Sequence, residues 1–515
     1  MKLKYILEKV ENRVKKAIKV SKNLDLDLVE VSSVEYDSRQ VKKNSLFVCI
    51  PGLDNDGHDF IEEAIKRGAR AVVVDQIRET DFINSVCFQE VCLLVTFNPR
   101  LALSALSAVF YNYPSRAMEI VGVTGTNGKT SVTYMLESIF KAYLKALGDF
   151  SAVGVIGTIN YRWGEIKKTA SNTTPESKDL QKILSEMRED RVRFVILEVS
   201  SHALELERVA DLDFDTIIFT NLTQDHLDFH QSFANYFQAK KKIFALLEKS
   251  CKKNRAALVN LDDLYGQKIY LEKDKFSYPL ISFALNEKAF FSPQKETIDN
   301  SLDGLSYVLE KPINDFRVKL KLIGKFHIYN SLAALGASYL MGISPKFIQE
   351  GLVNLKKIPG RFEILKSESG FFVIIDYAHT SDALLKLLTS LKEWQPRRII
   401  TIFGCGGDRD KSKRSLMGEV ASQNSDYLII TNDNPRSEDP AEIVEDIQKG
   451  IKGEDYEILL DRELAIKKAI SEAESGDILV IAGKGHEDYQ IFGNQVNHFD
   501  DHEMASKYLE ENLGA

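Results

Sequence analysis

The chain has 515 residues, 44% of them hydrophobic and 28% charged, with a formal net charge of −8. That balance belongs to a folded, water-facing protein, and it excludes a disordered or membrane-embedded chain. An acidic chain has no basic excess for neutralising a phosphate backbone, so nucleic acid is excluded as the expected partner and any anionic ligand needs local cations. At about 100–200 residues per domain the length asks for roughly three domains, with a site between them.

Residues 1–20, MKLKYILEKVENRVKKAIKV, set apolar against charged groups at helical spacing and lack the apolar core and cleavage site of a signal peptide. An amphipathic helix is expected there, in a protein that is not exported. No run approaches the roughly 20 apolar residues of a bilayer span, so no membrane partner and a cytoplasmic location are expected. SLFVCI and AVVVD read as strands with FIEEAIKRGA as a helix between them, giving a first α/β domain over 1–115. LALSALSAVFYNYPSRAM reads as a helix ending near Pro114. A second domain, 116–357, then opens with EIVGVTG and continues through RFVILEVSS and FDTIIFTNLT, strands alternating with helical patterns as in a mostly parallel, doubly wound sheet. Pro359 and Gly360 punctuate the chain, and FFVIIDYAHT, RIITIFG, YLIITND and DILVIAG build a third domain over 358–515. The cysteines, Cys49, Cys87, Cys92, Cys251 and Cys405, show no paired spacing and are expected to be reduced, buried thiols.

Strand EIVGVTG runs directly into TNGKTSVTYMLESIF, so Gly125, Thr126, Asn127, Gly128, Lys129, Thr130 and Ser131 form a glycine loop between strand and helix. Glycines let backbone amides approach phosphate oxygens, and the helix N-terminus adds positive potential. Lys129 would neutralise terminal phosphates, and the Thr130 hydroxyl would suit magnesium. Val123 stands where the usual P-loop has glycine, so the loop is a variant. Glu198 ends the strand FVILEV, where carboxylates of α/β sheets face the ligand crevice, and is a candidate magnesium ligand. Ser200 or Ser201 alternatively caps a helix. TNLTQDHLDFH places Asn221, Asp225, His226, Asp228 and His230 beyond another strand. Two histidines four apart could hold zinc, but no cysteine or HExxH context supports that, and a second magnesium held partly by His226 is the preferred reading. By charge alone, Lys240, Lys241 and Lys242 read as a solvated helix face.

Along the chain stand, in order, DSR (37–39), GTNGKT (125–130), NTTP (172–175), EVSSHAL (198–204), DHLDFH followed by YFQAK, GKFHIYN (324–330), PGRFE (359–363), DYAHT (376–380), GCGGDRDKSKR, DNPR and GKGHE. On these motifs, over nearly its whole length, the sequence resembles the Mur ligase family, and within it the ligases that add a third residue to UDP-N-acetylmuramoyl-L-alanyl-D-glutamate. The resemblance implies an α/β enzyme of three domains that works with ATP and Mg2+, and a monomer is expected. The N-terminal domain would hold the UDP moiety, the central one would be a P-loop-type doubly wound ATPase, and the C-terminal one a Rossmann-like domain for the incoming amino acid. It implies that Ser38 touches the UDP-sugar and that Asn172, Thr173, Thr174, Ser200 and Arg208 hold the muramoyl dipeptide. Lys240 matches a carbamylated lysine, an oxygen ligand for magnesium alongside Thr130, Glu198 and His226. His327, Asn330, Arg361 and Asp376 would contact ATP, and Lys129, Glu198, His226, Lys240 and Arg361 would serve catalysis through an acyl-phosphate.

DNPR, which is Asp433, Asn434, Pro435 and Arg436, is the family's signature for meso-diaminopimelate, whose distal carboxylate suits a bidentate guanidinium. Arg409, Gly483 and Glu487 match the other contacts, Glu487 being placed to accept from the distal ammonium. L-lysine and ornithine lack that carboxylate and are the alternative substrates. A surface arginine in a turn is the alternative for Arg436, and His379 is either a base or a core or capping histidine. A P-loop regulatory NTPase without ligation is the competing class. DNPR, GKGHE and the N-terminal domain argue against folylpolyglutamate synthetase, which has a related ATPase core.

Overall fold

The computed structural model describes residues 1–10, 17–19, 27–52, 55–76, 91–301, 303–313 and 315–513. The chain forms two compact units, one of Met1–Thr124, Phe150–Ile217 and Ala239–Ala256, the other of Gly125–Asp149, Ile218–Gln238 and Ala257–Ala515.

In the first unit a five-stranded sheet runs in the order Ala17–Lys19, Cys92–Thr96, Ala69–Asp75, Ser45–Val48, Ser33–Glu35. It is parallel except at Ala17–Lys19, which pairs antiparallel with Cys92–Thr96. The helix Leu3–Val10 buries Leu3, Ile6, Leu7 and Val10, the single stripe that helical spacing demands. The expected helix over residues 1–20 is therefore corrected. Ala17–Lys19 is an edge strand in register with Leu93–Val95, because the open ladder of that sheet edge satisfies its backbone. Residues 11–16 and 20, and Cys87, lie outside the described residues. The helix Pro99–Phe110 starts with Asn98 Oδ1 accepting from Leu101 N at 3.1 Å and ends before the expected Pro114. Asn112 and Tyr113 turn the chain at φ 57° and 45°, and Pro114 opens a short 3-10 turn. Further on, Glu119–Thr124 pairs in parallel with Val192–Glu198, which pairs in parallel with Ala152–Ile156. Asn160–Trp163 and Ile166–Thr169 extend that edge antiparallel. Val192–Glu198 is buried at all but Arg193, which identifies an interior strand and delivers Glu198 at its carboxyl end.

In the second unit the helix Lys129–Ala146 packs on Phe326–Leu340 and Pro345–Asn354. Gly351 lets the backbones meet, since a Cβ there would stand 2.3 Å from Ile139 Cα. Strands Ser292–Pro293, Asp299–Ser301, Gly304–Lys311 and Arg317–Leu320 form a small antiparallel sheet that the doubly wound reading did not include. A six-stranded sheet follows, ordered Glu363–Lys366, Phe372–Asp376, Ile478–Ala482, Ile399–Phe403, Tyr427–Ile430, Tyr456–Ile458, parallel but for its first strand. Leu384, Leu387, Leu388 and Leu391 cover one face and Ile466, Ile470 and Tyr508 the other. Each such side chain contributes about 1.5–3 kcal/mol by leaving water. The described cysteines are unpaired, and burial pushes the Cys92 and Cys405 thiols up to about 12. Cys251 is exposed, which corrects the expectation of burial at that position. No helix among the described residues is long and apolar enough to cross a membrane.

Candidate functional site

In the second unit the glycine loop precedes the helix Lys129–Ala146. Gly125 (φ 144°) has Thr220 Oγ1 only 1.9 Å from where a Cβ would stand, and Gly128 (φ 90°) has Asn330 Oδ1 at 2.5 Å. Only glycine follows that path without displacing a neighbour. The loop is braced from the segment after the strand Thr216–Phe219. Thr220 Oγ1 donates to Asn127 O at 2.6 Å, Asn221 Nδ2 donates to the same carbonyl at 3.1 Å, and Asn127 N donates to Asn221 Oδ1 at 2.9 Å. Thr126 Oγ1 accepts from Thr223 N at 3.0 Å and lies 3.0 Å from the Tyr236 hydroxyl. Lys129 Nζ donates to Gly125 O at 2.9 Å and Thr126 O at 2.8 Å, which holds its charge over the loop, and Thr130 and Ser131 are buried in the first helical turn. A rigid, amide-lined, cationic turn at a helix N-terminus fits a phosphate group.

Around it the structure gathers the four expected nucleotide contacts. Arg361 Nη2 donates to Thr130 Oγ1 at 3.3 Å, and its guanidinium lies 4.4 Å from the Tyr377 ring centroid. Asn330 Nδ2 donates to His327 Nδ1 at 3.3 Å. Burial presses His327 down to about 3, so the ring is neutral, and its Nε2 is buried without a hydrogen-bond partner. Burial raises the Asp376 carboxyl although Arg361 opposes it, and Asp376 Oδ2 accepts from Phe362 N at 2.7 Å. His226 stands in the left-handed region (φ 54°) with Nε2 3.4 Å from Asp225 Oδ2, and His379 Nε2 lies 3.8 Å from the same oxygen. Burial opposes ionisation of Asp225, but the two imidazoles hold its carboxyl well below the usual range. His379 Nδ1 donates to Tyr377 O at 2.9 Å, so this histidine is oriented by backbone on one side and carboxylate on the other.

Three loops meet at the carboxyl ends of the six-stranded sheet, where open α/β sheets receive ligands. Glu487 accepts from Asn434 Nδ2 at 2.8 Å and Tyr377 Oη at 3.3 Å, with Lys484 Nζ at 3.5 Å. Burial and then the neighbouring Asp433 charge raise its pKa. Gly483 (φ 111°) leaves room for Asp433, whose Oδ2 would stand 2.7 Å from a Cβ. Arg436 is half-buried, bridges to Phe492, and donates from Nη1 to Gly407 O at 2.7 Å, so both its backbone and its side chain are anchored and it is not a free surface arginine. Arg409 is exposed and donates to Asp408 O at 3.0 Å. Pro435 is buried between Asn434 and Arg436.

In the first unit, Glu198 Oε2 accepts from Thr158 Oγ1 at 2.9 Å and Oε1 from Thr158 N at 3.3 Å, while Gly157 passes so close that a Cβ would lie 2.3 Å from Oε1. Thr158 Oγ1 also lies 3.1 Å from Thr173 Oγ1. Thr174 Oγ1 donates to Glu198 O at 2.7 Å, and Asn172 O accepts from Tyr161 Oη at 2.6 Å. Ser200 Oγ accepts from Ala203 N at 3.1 Å, so the capping alternative is realised at this serine. Arg208 donates to Glu176 Oε2 at 3.3 Å and to Thr174 O at 3.0 Å. Ser38 is buried and donates to Glu63 Oε2 at 2.9 Å. Lys240 is 1% exposed, which removes the solvated-face reading for this lysine. Among the described residues no group of three or more His, Cys, Asp or Glu side chains could hold a metal ion.

Sequence reasoning missed Thr158, Glu176, Tyr377 and Asp382, whose Oδ2 accepts from Asn127 Nδ2 at 2.9 Å. Glu176 and Asp382 each follow a quoted motif by a residue or two, and a carboxylate so close to a polar motif is the signal that was available.

The Mur ligase family catalytic domain, Mur ligase middle domain and Mur ligase glutamate ligase domain match residues 30–110, 123–338 and 360–485. The chain is 41% identical over 503 residues, 96% of its length and 99% of the other, to the UDP-N-acetylmuramoyl-L-alanyl-D-glutamate–2,6-diaminopimelate ligase of Syntrophomonas wolfei. It is 44% identical over 494 residues, 95% and 96% of the two lengths, to the protein of that name in Fusobacterium nucleatum. A solved structure of a ligase with that name superposes with a TM-score of 0.65 at 28% identity, covering 96% of this chain and 98% of that one.

Proposed function

Because the chain belongs to the Mur ligase family, we propose that it uses ATP to join meso-2,6-diaminopimelate to UDP-N-acetylmuramoyl-L-alanyl-D-glutamate in peptidoglycan synthesis. The observation that carries the choice of amino acid is the presence of one cation and one anion, each held by its own neighbours, on the loops at one sheet end. Arg436 is anchored with its guanidinium at Gly407, and Glu487 is held by Asn434 and Tyr377. A substrate with an ammonium and a carboxylate at its far end is matched by that pair. Lysine would leave the guanidinium without a counter-ion.

The reaction joins a carboxylate to an amine in two steps. A carboxylate oxygen takes the γ-phosphoryl group of ATP and ADP leaves; the amine nitrogen then forms the amide, losing a proton as phosphate departs. Lys129 and Arg361 place positive charge where the transferring group carries negative charge, and the braced glycine loop keeps its amides aimed without reorganisation. The neutral His327 and Asn330 orient the nucleotide. Bound magnesium would offset charge on the phosphates; Thr130 would offer it the hydroxyl of the phosphate loop, Glu198 a hard oxygen ligand at its strand end, and a carbamylated Lys240 another. His226, ordered by Asp225, would offer a ring nitrogen to a second magnesium.

The test is phosphate release by purified protein with ATP, UDP-muramoyl-dipeptide and diaminopimelate, L-lysine or ornithine supplied one at a time. Release requires all three substrates and occurs with diaminopimelate. Turnover with lysine and none with diaminopimelate defeats the specificity, and release without either co-substrate returns the chain to a regulatory NTPase.

A further inference from the structure

The loops carrying Arg409 and Arg436 leave neighbouring parallel strands, Ile399–Phe403 and Tyr427–Ile430, and enter the helices Ser412–Asn424 and Pro440–Gln448. Their backbones touch. Gly407 N donates to Asn434 O at 2.9 Å, and a Cβ on Gly407 would stand 1.8 Å from Pro435 O. Two carboxylates cross between the loops in opposite directions. Asp408 accepts from Ser437 Oγ at 2.7 Å and Ser437 N at 3.2 Å. Glu438 returns the contact, accepting from Asp408 N at 2.6 Å.

Glu438 does more than close that ring. It takes a two-pronged bond from Arg414, Nη2 to Oε1 at 2.9 Å and Nη1 to Oε2 at 3.0 Å, and Lys411 Nζ lies 2.9 Å from Oε2. The Arg414 side chain is 1% exposed and also donates to Asp446 at 3.0 Å and Gly406 O at 3.3 Å. Arg414 first, with Lys411 and the Asp408 amide, holds the Glu438 carboxyl down to about 2, so this clasp stays charged across the working range of an enzyme. The residue so clasped lies two positions from Arg436, whose backbone sits at φ 55° and whose guanidinium reaches back to Gly407 of the other loop. A flexible arginine is costly to order, and one whose loop is already fixed gives up less on binding.

We propose that Glu438 is a positioning residue for amino-acid selection: with Arg414 and Asp408 it locks the two loops together, so that Arg436 and Arg409 meet the distal carboxylate of the incoming amino acid already in place. This rests on the diaminopimelate reading above. In this role the three clasp residues act through Arg436 and Arg409.

The test is steady-state kinetics of the full chain bearing Glu438→Gln or Asp408→Asn. In Glu438→Gln the KM for diaminopimelate rises about tenfold, the scale of one lost charge-assisted bond, while kcat and the KM values for ATP and the UDP-substrate stay within about twofold. Asp408→Asn shifts KM the same way by less, and Glu438→Asp restores part of the loss. Unchanged KM in both variants overturns the proposal, as does an equal rise in all three KM values, which is what general loosening of the fold would give. Should Glu438→Gln not fold, Asp408→Asn, which leaves the Arg414 pair intact, decides by the same criteria. Wild-type protein without diaminopimelate-dependent turnover defeats the ligase reading instead, so the two failures are told apart.

Discussion

Replacing Gly128 by alanine puts a methyl group on a residue at φ 90°, 2.5 Å from Asn330 Oδ1, with Thr220 Cβ the next neighbour beyond Asn330 at 3.9 Å. Holding an L-residue in the left-handed region costs about 1–2 kcal/mol. The methyl also displaces the Asn330 amide, which forfeits its bond to His327 Nδ1, a further ~0.5–1.5 kcal/mol. Together these come to about 1.5–3.5 kcal/mol. If the loop keeps its shape, that amount is lost from the stability of the unit. If it relaxes instead, ADP affinity falls about 10–300-fold at 1.4 kcal/mol per decade. Calorimetric titration with ADP and a thermal melt of the same preparation read both outcomes. Gly125→Ala is the harsher change, because its methyl would strike Thr220 Oγ1 at 1.9 Å, the group that donates to Asn127 O. A Gly128→Ala protein with unaltered melting temperature and unaltered ADP affinity refutes the argument that glycine is required there.

Lys240→Ala lowers phosphate release by about 100- to 1,000-fold, the loss expected for one preorganised electrostatic group, and bicarbonate rescues little of it; ordinary activity would remove this lysine from the machinery. Glu487→Gln raises the KM for diaminopimelate and changes the pH dependence of stability. The Glu487 pKa is raised above its ordinary 4.5, so its charged form opposes folding at neutral pH and that opposition disappears as pH falls through the raised value to below 4.5. The melting temperature of the glutamine variant relative to wild type therefore climbs as pH increases across that window and levels off above it. A difference that does not vary with pH refutes the assignment.

The phosphate loop was legible because its requirements are local: glycines at the left-handed turns, a lysine, and a helix beginning at once. The parallel strands were equally legible, since a strand buried on both faces, such as Val192–Glu198, must be written almost entirely in apolar residues. Ala17–Lys19 was not, because three residues declare no alternation and their strand character is supplied by Leu93–Val95. Lys240 lay hidden inside a run of three lysines, although Tyr236, Ile243, Phe244 and Leu247, all buried, mark the inward stripe on which it falls. Asp382 and Thr158 were illegible for a different reason. Their roles come from partners 255 and 40 residues away, Asn127 and Glu198, and no local spacing encodes such a meeting.

The Tyr377 ring carries the Arg361 guanidinium on its face, packs 4.5 Å from His379 and 5.0 Å from His486, and offers its hydroxyl to Glu487. One side chain thus serves both a group assigned to the nucleotide and a group assigned to the amino acid. Neighbours that share a partner are not independent, so a change at this tyrosine made to suit a new amino acid would disturb ATP handling as well. A lineage drifting toward another diamino acid has a freer route through the outer arginines at 409 and 436, and divergence should accumulate there while this aromatic hub stays fixed.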